Sequence, residues 1–411
     1  MTSDHDKTHH VVVIGAGHGG GNVVALLRQY GFAGPVTLIG DEPAAPYHRP
    51  PLSKAWLKED GANAQSLALK TADFYATQNI ALRLGQRVDA IDRVARRVAL
   101  ADGTTLAYDS LILATGARAR ALPAIADGRD NVLTLRNMAD ADRLKHALGA
   151  GRRLAIIGGG YIGLECAASA RALGAEVTVV ERTSRLLERV ASAPIADFLR
   201  RYHEQNGVRF ALGAQIEVIG GGRDATLTLV DGQRIACDAI LVGIGAVPES
   251  DLAQQAGLAC DDGITVDADC RTSDAHIFAI GDAAKRPHPL YGRNLRLESV
   301  PSAMEQARRV AAIIAGREPA PPEVPWFWSD QYELKLQIAG LPFDADTVLV
   351  RGTPEADRFG VYHLCKGRVV TVEAINSPPD FFAGKKLIAS GRTIDPARLA
   401  DTAVPLSDIA A

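Results

Sequence analysis

The sequence predicts an α/β fold with two doubly wound units, followed by a small α+β domain near the C-terminus. Two observations carry this prediction. A pattern of strand, glycine-rich turn, helix and strand occurs twice, over residues 11–42 and 152–181. A proline-rich stretch at 315–328 then precedes several strand patterns and one helix pattern. Alternating strands and helices are typical of parallel α/β units, whereas consecutive strands followed by a helix are typical of an α+β domain.

The first glycine-rich turn follows the apolar run Val-Val-Val-Ile. Gly15 permits a tight turn, Gly17 lets backbone amides approach a pyrophosphate, and Gly20 lets the helix lie close to the strand. The next apolar run ends 21 residues after Gly20 with Asp41. An acid at this distance is suited to binding a ribose hydroxyl. The turn therefore has the pattern of a dinucleotide site.

The second turn repeats this pattern. Gly158, Gly160 and Gly163 follow another apolar run, and Glu181 stands 18 residues after Gly163. One such turn is weak support, because glycine-rich turns are common, but two copies with their acids predict two bound dinucleotides. The two units are therefore predicted to be Rossmann-like dinucleotide-binding domains.

Composition narrows the class of protein. A chain of 411 residues exceeds the usual size of one hydrophobic core, so two or three domains are expected. A net charge of -3 without a basic segment argues against nucleic acid as the main partner. The N-terminal stretch 1–10 lacks the apolar centre of a signal peptide, and the sequence has no apolar run as long as a membrane span. We therefore expect a soluble cytoplasmic protein.

Cysteine and histidine do not indicate a metal site. The five cysteines are dispersed without a CxxC or metal-ligand spacing, so structural thiols are expected. His9 and His10 are adjacent, but they lie in a tail that we expect to be mobile. No metal is therefore predicted.

The second unit is predicted to interrupt the first. Residues 46–54, PYHRPPLSK, predict a proline-stiffened loop without regular structure. Residues 108–116 predict a buried strand that ends in a glycine turn, and 272–284 predict a strand running into a helix N-terminus at Gly281 and Asp282. The predicted domains are 1–116 with 247–324, then 117–246, then 325–411.

The third domain begins after the prolines of 315–328, which exclude helix and strand there. Three strands are predicted within 347–376, the last two joined by a hairpin turn at Lys366 and Gly367. A helix is predicted over 380–390. These elements form the small α+β domain.

The order of the motifs resembles one known family along nearly the whole chain. After the first glycine turn come RPPLSK, ATG, GGGYIGLE, GIG, GD, ESVPSAMEQAR and PWFWSDQY. This order is similar to that of the NADH-dependent ferredoxin reductases of bacterial oxygenase systems, of the putidaredoxin reductase type, and more distantly to apoptosis-inducing factor. The resemblance implies FAD in the first site and NADH in the second. It also implies that electrons pass to a 2Fe-2S ferredoxin, which supplies a haem monooxygenase or a Rieske dioxygenase.

The resemblance also implies which residues hold each cofactor. For FAD they are Gly15, Gly17, Gly20, Asp41, Arg49, Lys54, Ala114, Thr115, Gly116, Gly281, Asp282 and Val300. For NADH they are Gly158, Gly160, Tyr161, Ile162, Gly163, Glu165, Glu181 and Gly245. Asp282 has a second explanation as an ordinary helix N-cap.

Five residues are candidates for catalysis by the same resemblance. Lys54 would lie at the reactive edge of the flavin and Glu165 where the nicotinamide carboxamide docks, with a salt bridge fixing both. Tyr161 would cover the flavin until nicotinamide displaces it. Each also has a structural explanation, as a solvated lysine, a charge near a helix N-terminus and a packed aromatic ring. Trp326 and Trp328 would line the flavin edge or pack in the core.

Glu181 predicts a preference for NADH on charge alone. A carboxylate accepts hydrogen bonds from the ribose diol of NADH and repels the additional phosphate of NADPH. Arg182 and Arg185 weaken this prediction, because an arginine can bind that phosphate.

A 2Fe-2S ferredoxin is usually acidic and therefore requires a local basic rim. Arg308, Arg309, Lys385 and Lys386 are the candidates, although each pair is also typical of a solvated helix face. The sequence leaves open whether the protein is a monomer or a homodimer.

Two other functions share the two-nucleotide plan. Reductases of disulfides, peroxides, oxygen or rubredoxin form the first, and those that relay electrons through a thiolate need a cysteine near the flavin. The stretch from Asp41 to Lys54 contains no cysteine, and Cys166, beside Glu165, is predicted to be buried. The second is an NADH-sensing flavoprotein without an electron-transfer role, which the binding motifs alone do not exclude.

Overall fold

The chain forms two compact units in a computed structural model that describes residues 8–59, 63–122, 129–220 and 225–410. Unit 1 comprises 1–49, 63–118 and 247–323, and unit 2 comprises 50–62, 119–246 and 324–411. By this division the chain passes from one unit to the other after residues 49, 62, 118, 246 and 323. The predicted fold class is confirmed. The finer division into three domains stays a prediction.

Unit 1 is built on a parallel sheet of short apolar strands. In spatial order they are Ile277–Ala279, Ser110–Leu113, Val11–Ile14, Val36–Gly40 and Ile80–Leu84. All four residues of the central strand are buried, as expected of a parallel strand that is covered on both faces. Helices His18–Gln29 and Val300–Ile314 both supply buried apolar side chains to this core.

Smaller elements complete unit 1. The strands are Val88–Asp92, Arg97–Leu100, Thr105–Ala107, Ile264–Thr265, Ala284–His288 and Arg293–Leu295, and the short helices are Ala64–Leu67, Ala72–Thr77 and Asp251–Gln255. The prediction of a helix beginning at Gly281 and Asp282 is wrong. A three-residue 3-10 turn, Gly281–Ala283, leads directly into a strand whose alternate residues are buried.

Unit 2 contains a second parallel sheet of the same kind. Its strands, in spatial order, are Val208–Leu212, Glu176–Glu181, Arg153–Ile157, Ala239–Val242 and Val132–Leu133. An antiparallel sheet is formed by Ile216–Gly220, Ala225–Leu229 and Arg234–Cys237, and the helices are Ala55–Lys58, Met138–Ala147, Tyr161–Ala172 and Ala193–Gln205. The loop predicted at 46–54 is not wholly irregular, since Pro50–Ser53 forms a 3-10 turn.

The C-terminal part of unit 2 is an antiparallel sheet with helices. The strands, in spatial order, are Trp326–Gln331, Leu334–Gly340, Arg368–Ile375, Arg358–Cys365 and Thr347–Thr353. Helices Pro378–Ser390, Pro396–Ala400 and Leu406–Ala410 and the 3-10 turn Pro354–Ala356 complete it. The three predicted strands and the helix are present. The predicted irregular stretch ends earlier than expected, because a strand begins at Trp326, directly after the last proline.

The N-terminal tail was predicted to be mobile, and no membrane-spanning segment was predicted. Residues 1–7 of the predicted tail lie outside the described residues. His9 and His10 are held rather than mobile, because their rings form hydrogen bonds of 2.9 Å with Ser110 and Thr37. In the part of the chain that the structure describes, every helix is too short or too polar to cross a membrane.

Acid is expected to destabilise unit 2 through His203, which is fully buried. Burial lowers the pKa of His203 from 6.5 to about 4, so between these values the unfolded chain binds a proton that the folded chain does not. Above pH 6.5 His203 therefore does not lower the free energy of unfolding. As the pH falls from 6.5 toward 4, His203 lowers that free energy by about 3 kcal/mol at most. His203→Gln should show a flatter fall of thermal midpoint over this range. An equal slope in both proteins would contradict the assignment to His203.

Candidate functional site

The first glycine of each glycine-rich turn has the same positive-φ backbone conformation. Gly15 and Gly158 have φ values of +108° and +107°, which glycine adopts without a steric penalty. A Cβ atom on Gly15 would lie 2.1 Å from the carbonyl oxygen of Ala114, and one on Gly158 would lie 2.4 Å from that of Gly243. Both positions therefore require glycine for the fold of the turn itself.

The third glycine of each turn packs the helix against the strand. A Cβ atom on Gly20 would lie 1.9 Å from the carbonyl oxygen of Gly15, and one on Gly163 would lie 2.4 Å from that of Gly158. These distances are far below van der Waals contact. The close helix approach predicted for both turns is therefore present.

The middle glycine of each turn is not required by the protein itself. Gly17 and Gly160 both have an ordinary φ of -83°. Among the described atoms, a Cβ on Gly17 would approach only Arg49 Nε, at 4.0 Å, and one on Gly160 only the Gly243 carbonyl oxygen, at 4.0 Å. The space in front of each helix N-terminus fits a pyrophosphate, and a Cβ atom would obstruct it. This geometry fits two dinucleotides.

The segment that follows a neighbouring strand lies against each glycine-rich turn. In unit 1 this segment is Ala114–Gly116, where Gly116 has φ +71° and the Thr115 hydroxyl donates to the Glu249 carbonyl oxygen at 2.7 Å. In unit 2 it is the segment 243–245, where Gly245 has φ +103°. The predicted ATG and GIG motifs thus occupy equivalent positions in the two units.

An acidic pair follows the second strand of unit 1. Asp41 is exposed, so its carboxylate is accessible to a ribose. Glu42 accepts a hydrogen bond from the Tyr47 hydroxyl at 2.5 Å and forms an ion pair with Arg49 at 2.6 Å. The Arg49 guanidinium also lies 5.1 Å from the centre of the Tyr47 ring. Sequence reasoning missed Glu42, which holds Arg49 near Gly17.

The remaining residues predicted for FAD lie in two segments of unit 1. The Gly281 amide donates to the side-chain oxygen of buried Gln306 at 2.8 Å. Asp282 is the second residue of the 3-10 turn and Ile280 is its N-cap, so the explanation of Asp282 as an N-cap is wrong. Val300 is the first residue of its helix.

The predicted salt bridge between Lys54 and Glu165 is present in unit 2. Lys54 Nζ lies 2.6 Å from Glu165 Oε2, and the side chains are 18% and 4% exposed. Lys54 is therefore not a solvated loop residue. A carboxylate buried this deeply needs several donors to remain ionised.

Two serines that sequence reasoning missed supply those donors. The Ser53 hydroxyl donates to Glu165 Oε2 at 2.5 Å, and the Ser329 hydroxyl donates to Oε1 at 2.7 Å. Ser169 donates to the Ser53 carbonyl oxygen at 2.7 Å and so ties this loop to the helix that carries Glu165. Ser53 lies within the RPPLSK motif and Ser329 within PWFWSDQY. These two motifs could therefore have indicated both serines from the sequence.

Tyr161 is packed at the start of helix Tyr161–Ala172, which follows the second glycine-rich turn. Its ring centre lies 4.7 Å from that of Phe327, and its hydroxyl donates to the Val190 carbonyl oxygen at 3.0 Å. Burial raises the pKa of Tyr161 well above its usual value, so the hydroxyl stays protonated. The adjacent Ile162 is 48% exposed, an unusual position for a large apolar side chain.

Glu181 is held in a fixed orientation. Its Oε2 accepts from the Gly159 amide at 2.7 Å, and its Oε1 accepts from the Thr183 amide and hydroxyl at 2.9 and 3.0 Å. Arg185 is committed elsewhere, because its guanidinium donates to the carbonyl oxygens of Ala191 and Glu188. Of the two arginines that weakened the prediction, only Arg182 is exposed.

We expect Glu181→Ala to reduce the preference for NADH over NADPH by about 10- to 100-fold, because the change removes both a ribose acceptor and a repelling charge. The comparison is the ratio of kcat/KM for the two nucleotides. Arg185→Ala serves as the matched control, since its guanidinium is bonded to the loop. The assignment would be contradicted if Arg185→Ala lost more kcat/KM for NADPH than Glu181→Ala gained.

The two tryptophans lie on one face of strand Trp326–Gln331. Their ring centres are 5.6 Å apart. Trp326 also packs 5.6 Å from Phe381, and Lys385 Nζ lies 5.6 Å from the Trp326 ring. Trp326 therefore belongs partly to the C-terminal core, whereas both indoles keep some exposed surface.

The four predicted docking cations differ in exposure. Arg308 is 41% exposed and pairs with Glu323 at 2.7 Å. Arg309 is only 10% exposed and donates to Asp269 and to the Ala320 carbonyl oxygen, so its prediction as a rim residue is not supported. Lys386 is exposed and Lys385 is partly buried.

The cysteines do not offer a thiolate relay. All five are free, and Cys166, which stands next to Glu165, is fully buried. Burial and the Glu165 charge raise the pKa of Cys166 strongly, so the thiol stays protonated. The burial predicted for Cys166 is confirmed.

Two glycine-rich turns follow strands of separate sheets, and a buried glutamate paired with a partly exposed lysine lies beside the second turn. These features define a reductase that binds two dinucleotides. Residues 9–307 match the family described as pyridine nucleotide-disulphide oxidoreductase, and residues 326–410 match the reductase C-terminal domain. The chain belongs to this family, and it is an oxidoreductase of the ferredoxin reductase type. FAD and NAD(H) are the cofactors of this type.

Similar proteins cover nearly the whole chain. It is 46% identical to the probable ferredoxin reductase CtmF of Castellaniella defragrans, over 97% of this chain and 98% of that protein. It is 42% identical to putidaredoxin reductase CamA of Pseudomonas putida, over 98% and 96%. The crystal structure of a covalent putidaredoxin reductase–putidaredoxin complex matches with a TM-score of 0.95 and 41% identity, over 98% of both chains.

Proposed function

We propose that this protein takes electrons from NADH through FAD and delivers them to a 2Fe-2S ferredoxin that supplies an oxygenase. The observation that carries the proposal is the open middle glycine in each of the two phosphate-binding turns, because it provides for two dinucleotides in one chain. The ferredoxin partner is supported by relatives named as reductases of ferredoxin, putidaredoxin and rhodocoxin.

The chain's own residues bind and orient the cofactors. In unit 1, Gly15, Gly17 and Gly20 would hold the FAD pyrophosphate at the helix N-terminus, with Asp41 at the adenosine ribose. In unit 2, Gly160 would do the same for NADH, with Glu181 at its ribose. FAD, when bound, accepts two electrons from NADH together and releases them singly.

The pair formed by Lys54 and Glu165 is the proposed reactive centre of unit 2. Lys54 would carry a fixed positive charge toward the flavin, and ionised Glu165 would accept a hydrogen bond from the nicotinamide carboxamide. Because Glu165 is buried and bonded to Ser53, Lys54 and Ser329, its carboxylate does not have to reorganise when the substrate binds. Tyr161 would exclude water from the flavin until NADH arrives.

The basic rim for the ferredoxin is proposed from Lys386, which is exposed, and Lys385, which is partly buried. Lys385 and Lys386 lie in helix Pro378–Ser390 beside Phe382, which is 61% exposed. An exposed aromatic ring next to two lysines is suited to an acidic protein partner. Arg308 is a weaker candidate because Glu323 already neutralises it.

Lys386→Glu should therefore raise the KM for ferredoxin about 10-fold at low salt, through the loss of long-range attraction, with a smaller effect at high salt. Reduction of the enzyme by NADH should not change. Lys335→Glu, at an exposed lysine in the same unit, is the control. Equal loss in both variants, or no salt dependence, would contradict the proposed rim.

The proposed function is tested by NADH oxidation with purified protein under low oxygen, with and without a 2Fe-2S ferredoxin. Strong stimulation by the ferredoxin, with little activity on NADPH, is the expected result. NADH consumption that ferredoxin does not accelerate would refute the proposal and favour another acceptor. The proposal includes the cytoplasm as its location, because the enzyme must meet NADH and ferredoxin in one compartment.

A further inference from the structure

A chain of hydrogen bonds leads from Glu165 into the interior of unit 2. Ser329 donates to Glu165 Oε1 at 2.7 Å, and Gln331 Nε2 donates to the Ser329 hydroxyl oxygen at 3.1 Å. Gln331 Oε1 lies 2.8 Å from His203 Nε2, and His203 Nδ1 lies 3.4 Å from the Tyr332 hydroxyl. This group of Ser329, Gln331 and His203 is called the Ser329 relay below.

The direction of every hydrogen bond in the Ser329 relay follows from the charge on Glu165. An ionised carboxylate can only accept, so Ser329 has to donate its proton to Glu165. Ser329 then accepts from the amide nitrogen of Gln331, which turns the Gln331 oxygen toward His203. His203 must therefore carry its proton on Nε2, and its Nδ1 accepts from Tyr332. One orientation satisfies the whole chain.

Water cannot replace these bonds, because the relay is almost completely buried. Ser329, Gln331 and His203 are 1%, 2% and 0% exposed. Burial lowers the pKa of His203 to about 4, so the imidazole is neutral near pH 7 and adds no second charge. A buried polar chain with every member satisfied holds one arrangement more rigidly than separate hydrogen bonds do.

The relay is suited to orientation and not to proton transport. The Gln331 amide separates Ser329 from His203, and an amide gives up a proton far less readily than an imidazole or a carboxylic acid. Its fixed dipole can nevertheless stabilise the neighbouring donor. The effect on Glu165 is therefore electrostatic and geometric.

We propose that Ser329, Gln331 and His203 are positioning residues that hold the Glu165 carboxylate in the orientation that receives the nicotinamide of NADH. This inference rests on the proposed function, since it assigns a support to the residue that would dock the nicotinamide. It adds a reason for Ser329 and Gln331, which follow the two tryptophans.

The direction of the relay gives a test that a structural role would not reproduce. Gln331→Glu replaces a donor to Ser329 with a carboxylate acceptor, which draws the Ser329 proton away from Glu165. Gln331→Met removes both hydrogen bonds of the amide but leaves Ser329 free to donate to Glu165. The relay therefore predicts a large effect for Gln331→Glu and a small one for Gln331→Met, although both side chains are close to glutamine in size.

The measurement is the dissociation constant of NAD+ for the FAD-loaded protein, with thermal midpoints recorded in parallel. Ser329→Ala and Gln331→Glu should weaken NAD+ binding about 10- to 100-fold, and Gln331→Met by about threefold or less. Ser377→Ala is the matched control, because Ser377 is also a buried serine that donates to a buried carboxylate, Asp380, at 2.5 Å. NAD+ binding should be unchanged in this control.

Two results would overturn the relay. One is a loss of NAD+ binding in Gln331→Met as large as in Gln331→Glu, and the other is unchanged binding in Ser329→Ala. If Ser329→Ala does not fold, the two Gln331 variants decide the question alone. A wild-type protein whose flavin NADH does not reduce would instead refute the proposed function, so the two failures are distinguishable.

Discussion

Gly17→Ala is expected to yield a folded protein that binds FAD weakly, and Gly160→Ala a protein that keeps FAD but binds NADH weakly. Both glycines have backbone angles that alanine adopts freely, and the nearest described atom to the new Cβ would lie 4.0 Å away. The methyl group would therefore disturb only the cofactor. We expect each affinity to fall about 10- to 100-fold, through loss of amide contacts to pyrophosphate.

The measurements are the flavin content after purification and the dissociation constant of NAD+. Gly15→Ala is the control for folding, because its φ of +108° and a contact of 2.1 Å make alanine incompatible with the turn itself. It should lower the thermal midpoint, unlike the other two variants. If Gly17→Ala kept FAD at wild-type affinity, the first turn would not be the FAD pyrophosphate site.

Lys54→Met is expected to destabilise the protein by about 3 kcal/mol, because it leaves the Glu165 charge buried without its cation. The two serine donors keep the loss near the lower end of the range for a broken buried pair. Glu165→Gln should cost less stability, since Lys54 is partly exposed. The double variant should be more stable than the sum of the single losses predicts.

Thermal or urea unfolding of the three variants measures this coupling. Arg209→Met is the matched control in the same unit, because the ion pair of Arg209 with Glu176 is 67% and 54% exposed. Its loss should stay within about 1 kcal/mol. Strict additivity of the two single changes would show that Lys54 and Glu165 do not interact as the structure has them.

The sequence predicted most of the framework that positions the site. The two strand–turn–helix units follow from glycine spacing and apolar runs, which are local signals. The pairing of Lys54 with Glu165 came from the resemblance to a family, because residues so distant in sequence meet only through the fold. Ser53 and Ser329 were missed for the same reason.

The errors have identifiable physical causes. The strand after Gly281 and Asp282 was predicted as a helix, because a glycine followed by an aspartate at the end of a strand is also typical of a helix N-terminus. Arg309 was predicted to be exposed, but a helix turns consecutive residues to different sides, and the sequence alone did not show which arginine of the pair faces inward. Arg309 lies one turn after buried Glu305, at an N–O distance of 3.6 Å.

The most direct test of the account is the number of ferredoxin molecules reduced per NADH, measured without oxygen in a single turnover of the FAD-loaded protein. The account predicts two reduced 2Fe-2S ferredoxins for each NADH consumed, because electrons enter as a pair and leave singly. Flavin that NADH reduces but ferredoxin does not reoxidise would contradict the account.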